Sequence, residues 1–179
     1  MKHIKKLIFL PLLVLLLAAY SCKKDKVEPQ LPAATMEGKN TFGALVNGKV
    51  WTPKGRPNFY QQSLDVVYDP RYSGGNLNIQ AYRKIKDSPF VFESMVIGMM
   101  QLDHDGVYTL NNPEFGIAFF SSETCEYRKD ADVYRVGKLE ITKLDLTNGI
   151  IAGKFEFTLA KPGCDTVRVT EGRFDKKLF

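Results

Sequence analysis

Residues 138–175 have the most regular hydrophobic pattern of this 179-residue chain. Apolar side chains alternate with polar ones in residues 138–142 and again in residues 154–159, and the pair Asn148-Gly149 lies between these runs. A period of two in β-branched and aromatic residues is typical of half-buried strands. An Asn-Gly pair fits a tight type I′ turn, because both residues accept the positive φ that this turn requires. With a second turn signal at residues 161–163, the stretch predicts a three-stranded antiparallel meander with one buried and one exposed face.

The last strand of this meander changes phase. Val167 and Val169 share one parity, whereas Gly172 and Phe174 lie on the other. One face of a strand cannot take both pairs unless an extra residue is inserted between them. We therefore predict a β-bulge near Glu171-Gly172.

Turn signals recur along the rest of the chain, and one of them, Asn47-Gly48, is a further hairpin signal. Residues 90–102 are apolar on both parities. They predict a central strand that is covered on both sides and bulged at Gly98; a buried helix is the alternative, because periodicity does not separate the two. We predict a single all-β domain, residues 39–179, in which an antiparallel meander of about eight to ten strands closes into a sandwich or a small barrel.

The first 21 residues predict a secretory signal peptide, because a short basic start precedes an apolar run that is too short to span a bilayer. The end of this segment and the residue after it, Ala19-Tyr20-Ser21-Cys22, resemble the lipobox of bacterial lipoproteins, whose peptidase cuts before a cysteine that carries a diacylglycerol group. Lipidation of Cys22 would hold the protein on a membrane through its acyl chains. The alternative is ordinary cleavage after Ser21, which leaves a free thiol at Cys22.

Residues 22–38 predict a lipid-anchored linker, because they are polar, contain two prolines and have no hydrophobic period. The formal charge of +5 falls to +2 when the three leader lysines are removed. Such a charge gives no electrostatic footprint for a nucleic acid, and we expect no nucleic-acid partner. We expect the protein at the bacterial cell envelope, at the outer membrane, on either its periplasmic or its surface face.

Residues 38–51 read GKNTFGALVNGKVW, and residues 141–175 contain the segments ITKLD, GKFEFTL, PGCDT and GRFD. With these segments the chain resembles a family of uncharacterised exported lipoproteins of the Bacteroidota, whose mature domain opens and closes in this way. The family has no established activity. The resemblance therefore implies an envelope lipoprotein and nothing about catalysis.

Cys125 and Cys164 lie in two predicted loops of the domain. An oxidising envelope favours a structural disulfide between them, and lipidation of Cys22 leaves these two cysteines as a pair. Closure of a loop of about 40 residues would stabilise the domain by about 3–4 kcal/mol if the bond is unstrained.

The sequence contains no evident catalytic or metal-binding constellation. His104 is the one histidine outside the leader, and no nucleophile elbow accompanies it. A calcium loop from Asp103 to Glu114 would lack a ligand at Val107, and no phosphate-binding loop or dinucleotide fingerprint is present. We expect no metal and no cofactor.

Carboxylates and aromatic residues remain as candidates for binding or chemistry. A carboxylate pair would suit a glycoside hydrolase, but the following carboxylates mostly fall on polar parities and predict a solvated face: Asp65, Asp69, Glu140, Glu156 and Asp175. Trp51, Tyr82 and Tyr108 are the candidate ligand-binding residues, as a stacking platform for a sugar. The alternative is that these rings close hairpins or cover the edge of the core.

These observations predict an envelope-anchored lipoprotein whose domain is a non-enzymatic module that binds a ligand or a partner. The ligand classes that fit are a carbohydrate, a small apolar molecule or another envelope protein. The alternative is a carboxylate-based hydrolase that acts on envelope glycan or polysaccharide.

Overall fold

A computed structural model describes residues 30–85 and 92–179. The predicted signal peptide, Cys22 and the first part of the predicted linker lie outside the described residues, as does segment 86–91. The described chain is all-β, as predicted, and none of it forms a helix that is long and apolar enough to cross a membrane. Its eleven strands are β1 (Thr41–Val46), β2 (Lys49–Trp51), β3 (Leu64–Asp69), β4 (Asn76–Lys84), β5 (Phe92–Met100), β6 (Gly106–Thr109), β7 (Gly116–Ser121), β8 (Glu126–Tyr127), β9 (Tyr134–Asp145), β10 (Ile150–Ala160) and β11 (Val167–Lys177).

The strands form two antiparallel sheets. The larger sheet has the order β2-β1-β11-β10-β9-β6, and the smaller sheet has the order β3-β4-β5-β7-β8. No described strand belongs to both sheets, so the domain is a sandwich and is not closed into a barrel. The predicted meander β9-β10-β11 forms half of the larger sheet, and β1 pairs with β11, which joins the start of the domain to its end.

The hydrophobic core lies between the two sheets. The inward side chains of β4 and β10 are at most 3% exposed: Leu77, Ile79, Ala81, Phe155, Phe157 and Leu159. Phe155 stacks on Phe42, with ring centroids 5.1 Å apart. Burial of one large apolar side chain stabilises a fold by about 1.5–3 kcal/mol, so this layer is the main source of stability.

The turn at Asn47-Gly48 is the tight hairpin turn that the sequence predicts. Val46 pairs directly with Lys49, so the loop has two residues. Asn47 has a φ of 49° and Gly48 a φ of 78°, as a type I′ turn requires.

The turn at Asn148-Gly149 is different, and the prediction of a two-residue turn there is wrong. Asp145 pairs with Ile150, which leaves a loop of residues 146–149, and within it Gly149 alone has a positive φ, of 62°. The physical reason lies in the Asp145 carboxylate. It accepts hydrogen bonds from the backbone N–H of Asn148 at 2.9 Å and from its Nδ2 at 2.8 Å, and these bonds stabilise the longer loop.

The predicted β-bulge in β11 is confirmed. Thr170 and Glu171 together oppose the single residue Glu156 of β10, and Glu171 has a φ of 51°. Because of this extra residue, Val169 and Phe174 are both buried, at 1% and 2% exposure, although their parities differ.

Strand β5 confirms the predicted central strand within residues 90–102, and the helix alternative is excluded for its described part. It lies between β4 and β7. Only one of its faces is buried, so the prediction that the strand is covered on both sides is wrong: its other face lies on the outside of the sandwich and is half-buried. The bulge expected at Gly98 is absent from this strand, because Gly98 pairs in regular register with Asn78 and Ile117. A Cβ at Gly98 would lie 3.3 Å from Cγ2 of Ile117, so the glycine provides room on a crowded surface.

The predicted disulfide between Cys125 and Cys164 is confirmed. The two residues are separated by 39 positions and their Cα atoms lie 6.0 Å apart. Cys125 precedes β8 of the smaller sheet, and Cys164 lies in the turn between β10 and β11 of the larger sheet. The bond therefore ties the two sheets together at one end of the sandwich, where the Tyr127 hydroxyl also donates a hydrogen bond to the carbonyl of Asp165.

Candidate ligand-binding site

A shallow trough runs along β5 on the outer face of the smaller sheet. The outward side chains in the middle of β5 are small, whereas most of those opposite them on β4 and β7 are larger, with Ser121 of β7 as the exception. Ser94 lies between Tyr82 and Ser121, and Val96 lies between Gln80 and Phe119. We call the resulting cavity of about 460 Å³ the β5 trough; it is lined by Gln80, Tyr82, Ser94, Val96, Phe119, Phe120, Ser121, Arg128 and Lys129.

The walls of the β5 trough combine aromatic and hydrogen-bonding groups. Tyr82 on one wall and Phe119 on the other are half-buried, so part of each ring faces solvent. The Tyr82 hydroxyl donates a hydrogen bond to Oε1 of Gln80 at 3.2 Å, which orients both side chains. A concave surface with apolar area and a few convergent polar groups is typical of small-molecule sites.

The rim of the trough on the β7 side is cationic. Arg128 forms an ion pair with Glu126, with 2.9 Å between Nε and Oε2. Lys129 is exposed and forms no ion pair within residues 30–85 and 92–179. The rim therefore has an excess of positive charge.

Arg135 extends this positive charge beside Phe119. Its guanidinium lies 5.5 Å from the centroid of the Phe119 ring, and it donates hydrogen bonds to the carbonyls of Ala118 at 2.9 Å and Arg128 at 2.6 Å. Burial lowers the pKa of Arg135, and the charge of Asp130 offsets part of this shift. Arg135 is not one of the residues that line the trough, so it contributes positive charge beside Phe119 and no direct contact within the cavity.

Of the three aromatic residues predicted to bind a ligand, only Tyr82 lines this trough. Trp51 has no exposed surface, so its predicted role in a stacking platform is wrong. Its Nε1–H donates to Oε2 of Glu93 at 2.7 Å, and the Arg83 guanidinium lies 5.5 Å from its ring centroid. The alternative, that the ring covers the edge of the core, holds for Trp51.

Tyr108 lies on the other sheet and does not meet Tyr82. It belongs to β6, the edge strand of the larger sheet, and its hydroxyl donates to the carbonyl of His104 at 2.8 Å. His104 lies in an exposed turn, where its Nδ1 is 2.5 Å from Oδ1 of Asp103. The predicted platform therefore does not form, because its members come from two sheets.

The prediction that Asp175 lies on a solvated face is wrong. Its side chain points away from the core, but it is only 1% exposed, because residues 35–39 cover it. Its carboxylate accepts hydrogen bonds from the Thr35 hydroxyl at 2.6 Å and from the N–H groups of Glu37, Gly38 and Lys39 at 3.0, 2.7 and 3.0 Å. Burial acts to raise the pKa of Asp175, and these four bonds outweigh it and lower the pKa.

The other carboxylates on that predicted face are exposed or half-buried, as expected. Of these, Glu156 pairs with Lys138 on the outer face of the larger sheet at 3.1 Å, and Glu171, which is not in the predicted set, pairs with Arg173 at 3.1 Å. Such pairs at a solvated surface contribute little to stability.

A second large cavity lies at the end of the sandwich beside the disulfide. It has a volume of about 610 Å³, and its charged lining residues are Lys49, Arg83, Glu93 and Asp165. Oε2 of Glu93 accepts hydrogen bonds from Nε and Nη2 of Arg83 at 2.9 and 2.6 Å, in addition to the bond from Trp51. Glu93 is thus engaged in holding β2 against β4, and the cavity lacks the exposed aromatic surface of the trough.

Across the two described ranges, no group of three or more His, Cys, Asp or Glu side chains is placed to hold a metal ion. Sequence reasoning missed Phe119, Gln80 and the basic pair Arg128-Lys129. One signal was available, since Ser94 and Gly98 are small residues of one parity in an otherwise apolar strand. Comparison of the chain with protein-family models, with curated proteins and with solved structures found no match.

Proposed function

We propose that this protein is a lipid-anchored binding protein of the bacterial cell envelope that holds an acidic saccharide in the β5 trough. The observation that carries the proposal is the combination, on one outer face, of a concave cavity, two half-buried aromatic side chains and a cationic rim. The alternative of a carboxylate-based hydrolase has weaker support, because the side chains that line the trough include no carboxylate.

The trough walls match the surface of a sugar ring. A pyranose presents C–H groups on its faces and hydroxyl groups around its edge. The exposed parts of Tyr82 and Phe119 offer apolar aromatic surface for the C–H faces. Gln80, Ser94 and Ser121 supply amide and hydroxyl groups that both donate and accept hydrogen bonds with sugar hydroxyls.

The charges of the rim favour an acidic saccharide over a neutral one. Of the two cations that line the trough, Arg128 is paired with Glu126, whereas Lys129 has no carboxylate partner in the described part of the chain. A uronic-acid carboxylate would form charge-assisted hydrogen bonds with such groups, which are about twice as strong as neutral ones. Net positive potential at the rim would also raise the association rate of an anionic ligand.

The anchor follows from the start of the chain. A lipidated Cys22 is separated from Gln30, the first described residue, by seven residues. Eight steps of extended chain span at most about 28 Å. The domain would therefore work close to the envelope membrane, which suits capture of a saccharide that belongs to the envelope or arrives at it.

The binding proposal is tested by calorimetric titration of the mature chain with tetragalacturonate and with neutral maltotetraose. We expect binding of the acidic probe, and a loss of about tenfold in affinity for the double variant Tyr82→Ala/Phe119→Ala. Tyr72→Ala is the matched control, because Tyr72 is 58% exposed in the turn between β3 and β4, outside the trough. Equal affinity for both probes, or an unchanged affinity of the double variant, would contradict the proposal.

The anchor is tested separately in cells. The Cys22→Ser variant should move from the membrane fraction to the soluble fraction, because the proposed acyl chains are what hold the protein there. If the variant sediments with membranes as the parent does, lipidation of Cys22 is not the anchor.

A further inference from the structure

We propose that the loop between β2 and β3 rests on the membrane surface as a second point of attachment beside the lipid anchor. We call residues 54–63 the aromatic loop. It presents Phe59 at 84% exposure and Tyr60 at 92%, the two most exposed large apolar side chains in the described ranges. Their rings meet edge to face, with centroids 5.5 Å apart. Contiguous exposed apolar surface of this kind marks a contact site more often than single exposed residues do.

The aromatic loop holds these rings outward through its own hydrogen bonds. Oδ1 of Asn58 accepts hydrogen bonds from the N–H groups of Tyr60 at 2.9 Å and Gln61 at 3.0 Å. Its Nδ2 donates to Oε1 of Gln61 at 2.6 Å. An Asn side chain that bonds the backbone two and three residues on stabilises a turn. The outward display of Phe59 is therefore built into the loop.

The chain enters the domain at the base of the same loop. Gln30 lines a cavity of about 330 Å³ together with Pro53, which precedes the loop, and Ser63, its last residue. Phe59 is four residues from Ser63, so its Cα lies at most about 14 Å from the loop base. The position of the membrane near this loop rests on the proposed lipidation of Cys22, which only seven residues separate from Gln30. The anchor and the exposed rings would then approach the membrane from one edge of the sandwich.

The charge of this edge fits an anionic lipid surface. Lys54 and Arg56 are exposed, and residues 52–63 contain no Asp or Glu. Residues 23–29, next to the proposed anchor, contain three lysines and two acidic residues, Asp25 and Glu28, and so add a net charge of +1. Basic residues are attracted to anionic headgroups, and aromatic rings are favoured at the level of the headgroups because one part of that region is apolar and the other wet.

The test uses vesicles to which the mature chain is anchored chemically. Cys22 is the one free thiol of residues 22–179, because Cys125 and Cys164 are bonded to each other. It is coupled to a maleimide lipid in vesicles of phosphatidylglycerol and phosphatidylcholine with brominated acyl chains, which quench tryptophan fluorescence. Phe59→Trp places a reporter in the aromatic loop, and Tyr60→Trp is a second reporter there. The buried Trp51 contributes the same background to each variant.

Tyr134→Trp is the matched control, because Tyr134 is 61% exposed at the start of β9, near the opposite edge of the larger sheet. We expect about threefold stronger quenching at positions 59 and 60 than at position 134, because interfacial side chains enter the boundary between headgroups and acyl chains. Equal quenching at all three positions would overturn the proposal. The coupling replaces cellular lipidation, so this result does not depend on whether Cys22 is lipidated in cells, which the fractionation of Cys22→Ser decides.

Discussion

Removal of the Asp175 carboxylate should cost more stability than any surface substitution in this domain. The carboxylate holds the segment before β1 through four hydrogen bonds, three of them to Oδ2 and one, from Gly38, to Oδ1. In Asp175→Ala, all four donors lose their acceptor. In Asp175→Asn, the remaining oxygen can keep the three bonds of Oδ2, while the new NH₂ group faces the N–H of Gly38.

The expected magnitudes follow from these bond counts. A hydrogen bond contributes about 1 kcal/mol net, and bonds to charged groups contribute more. Asp175→Ala should therefore lower the free energy of unfolding by about 4 kcal/mol, and Asp175→Asn by about 2 kcal/mol. Thr35→Val removes only the hydroxyl bond and should cost about 1 kcal/mol, which makes it the single-bond control.

The pH dependence of the free energy of unfolding tests whether the charge of the Asp175 carboxylate causes this stabilisation. The pKa of Asp175 is lowered in the folded state, so the group stabilises the fold above its unfolded pKa, about 3.9. That stability is lost as the pH falls through the lower, folded pKa. Urea unfolding followed by circular dichroism should show a gap between the parent and Asp175→Asn that is full at about pH 7 and shrinks below about pH 4. A gap that stays constant across this range would show that the charge of Asp175 is not the source of the stabilisation.

Three further predictions concern stability. Replacement of both Cys125 and Cys164 by serine should lower the free energy of unfolding by about 3–4 kcal/mol. In the parent domain, denatured but not reduced, thiol titration should detect neither cysteine; two titratable thiols would rule out the disulfide. Gly48→Ala should cost about 1–2 kcal/mol by thermal unfolding, because a side chain is strained at its φ of 78° although no atom lies within 4 Å of the new Cβ; an unchanged melting temperature would contradict this. Trp51→Phe keeps most of the buried ring but removes the N–H bond to Glu93, and should cost about 1–3 kcal/mol in urea unfolding; a neutral result would show that Arg83 alone satisfies Glu93.

Local patterns predicted the strands well because a period of two reports directly on one buried face. The meander β9-β10-β11 and the bulge in β11 both follow from which side chains must reach the core. Of the two Asn-Gly turns, local sequence predicted the loop length of one and not of the other. At Asn47-Gly48 the pair adopts the positive φ angles it prefers, and the Asn47 side chain bonds the backbone of Thr166 and Arg168. At Asn148-Gly149 the Asp145 side chain offers hydrogen bonds that favour a longer loop.

Long-range packing accounts for the remaining errors. Asp175 lies on the polar parity of β11, as expected, but a segment 136–140 residues earlier in the chain covers it. Trp51 is likewise a hairpin residue, but it has no exposed surface and contacts Glu93 and Arg83 of the smaller sheet. The β5 trough has no local motif, because β4, β5 and β7 each contribute only two or three of its residues. Pairing of the strands, rather than any one stretch, creates the site.

The most direct test of the proposed binding site is an amide chemical-shift map of the isotopically labelled mature chain titrated with tetragalacturonate. We predict that the largest shifts fall on Gln80, Tyr82, Ser94, Phe119 and Lys129, which surround the β5 trough. Largest shifts around Lys49 and Asp165 at the end of the sandwich, or no localised shifts, would contradict it.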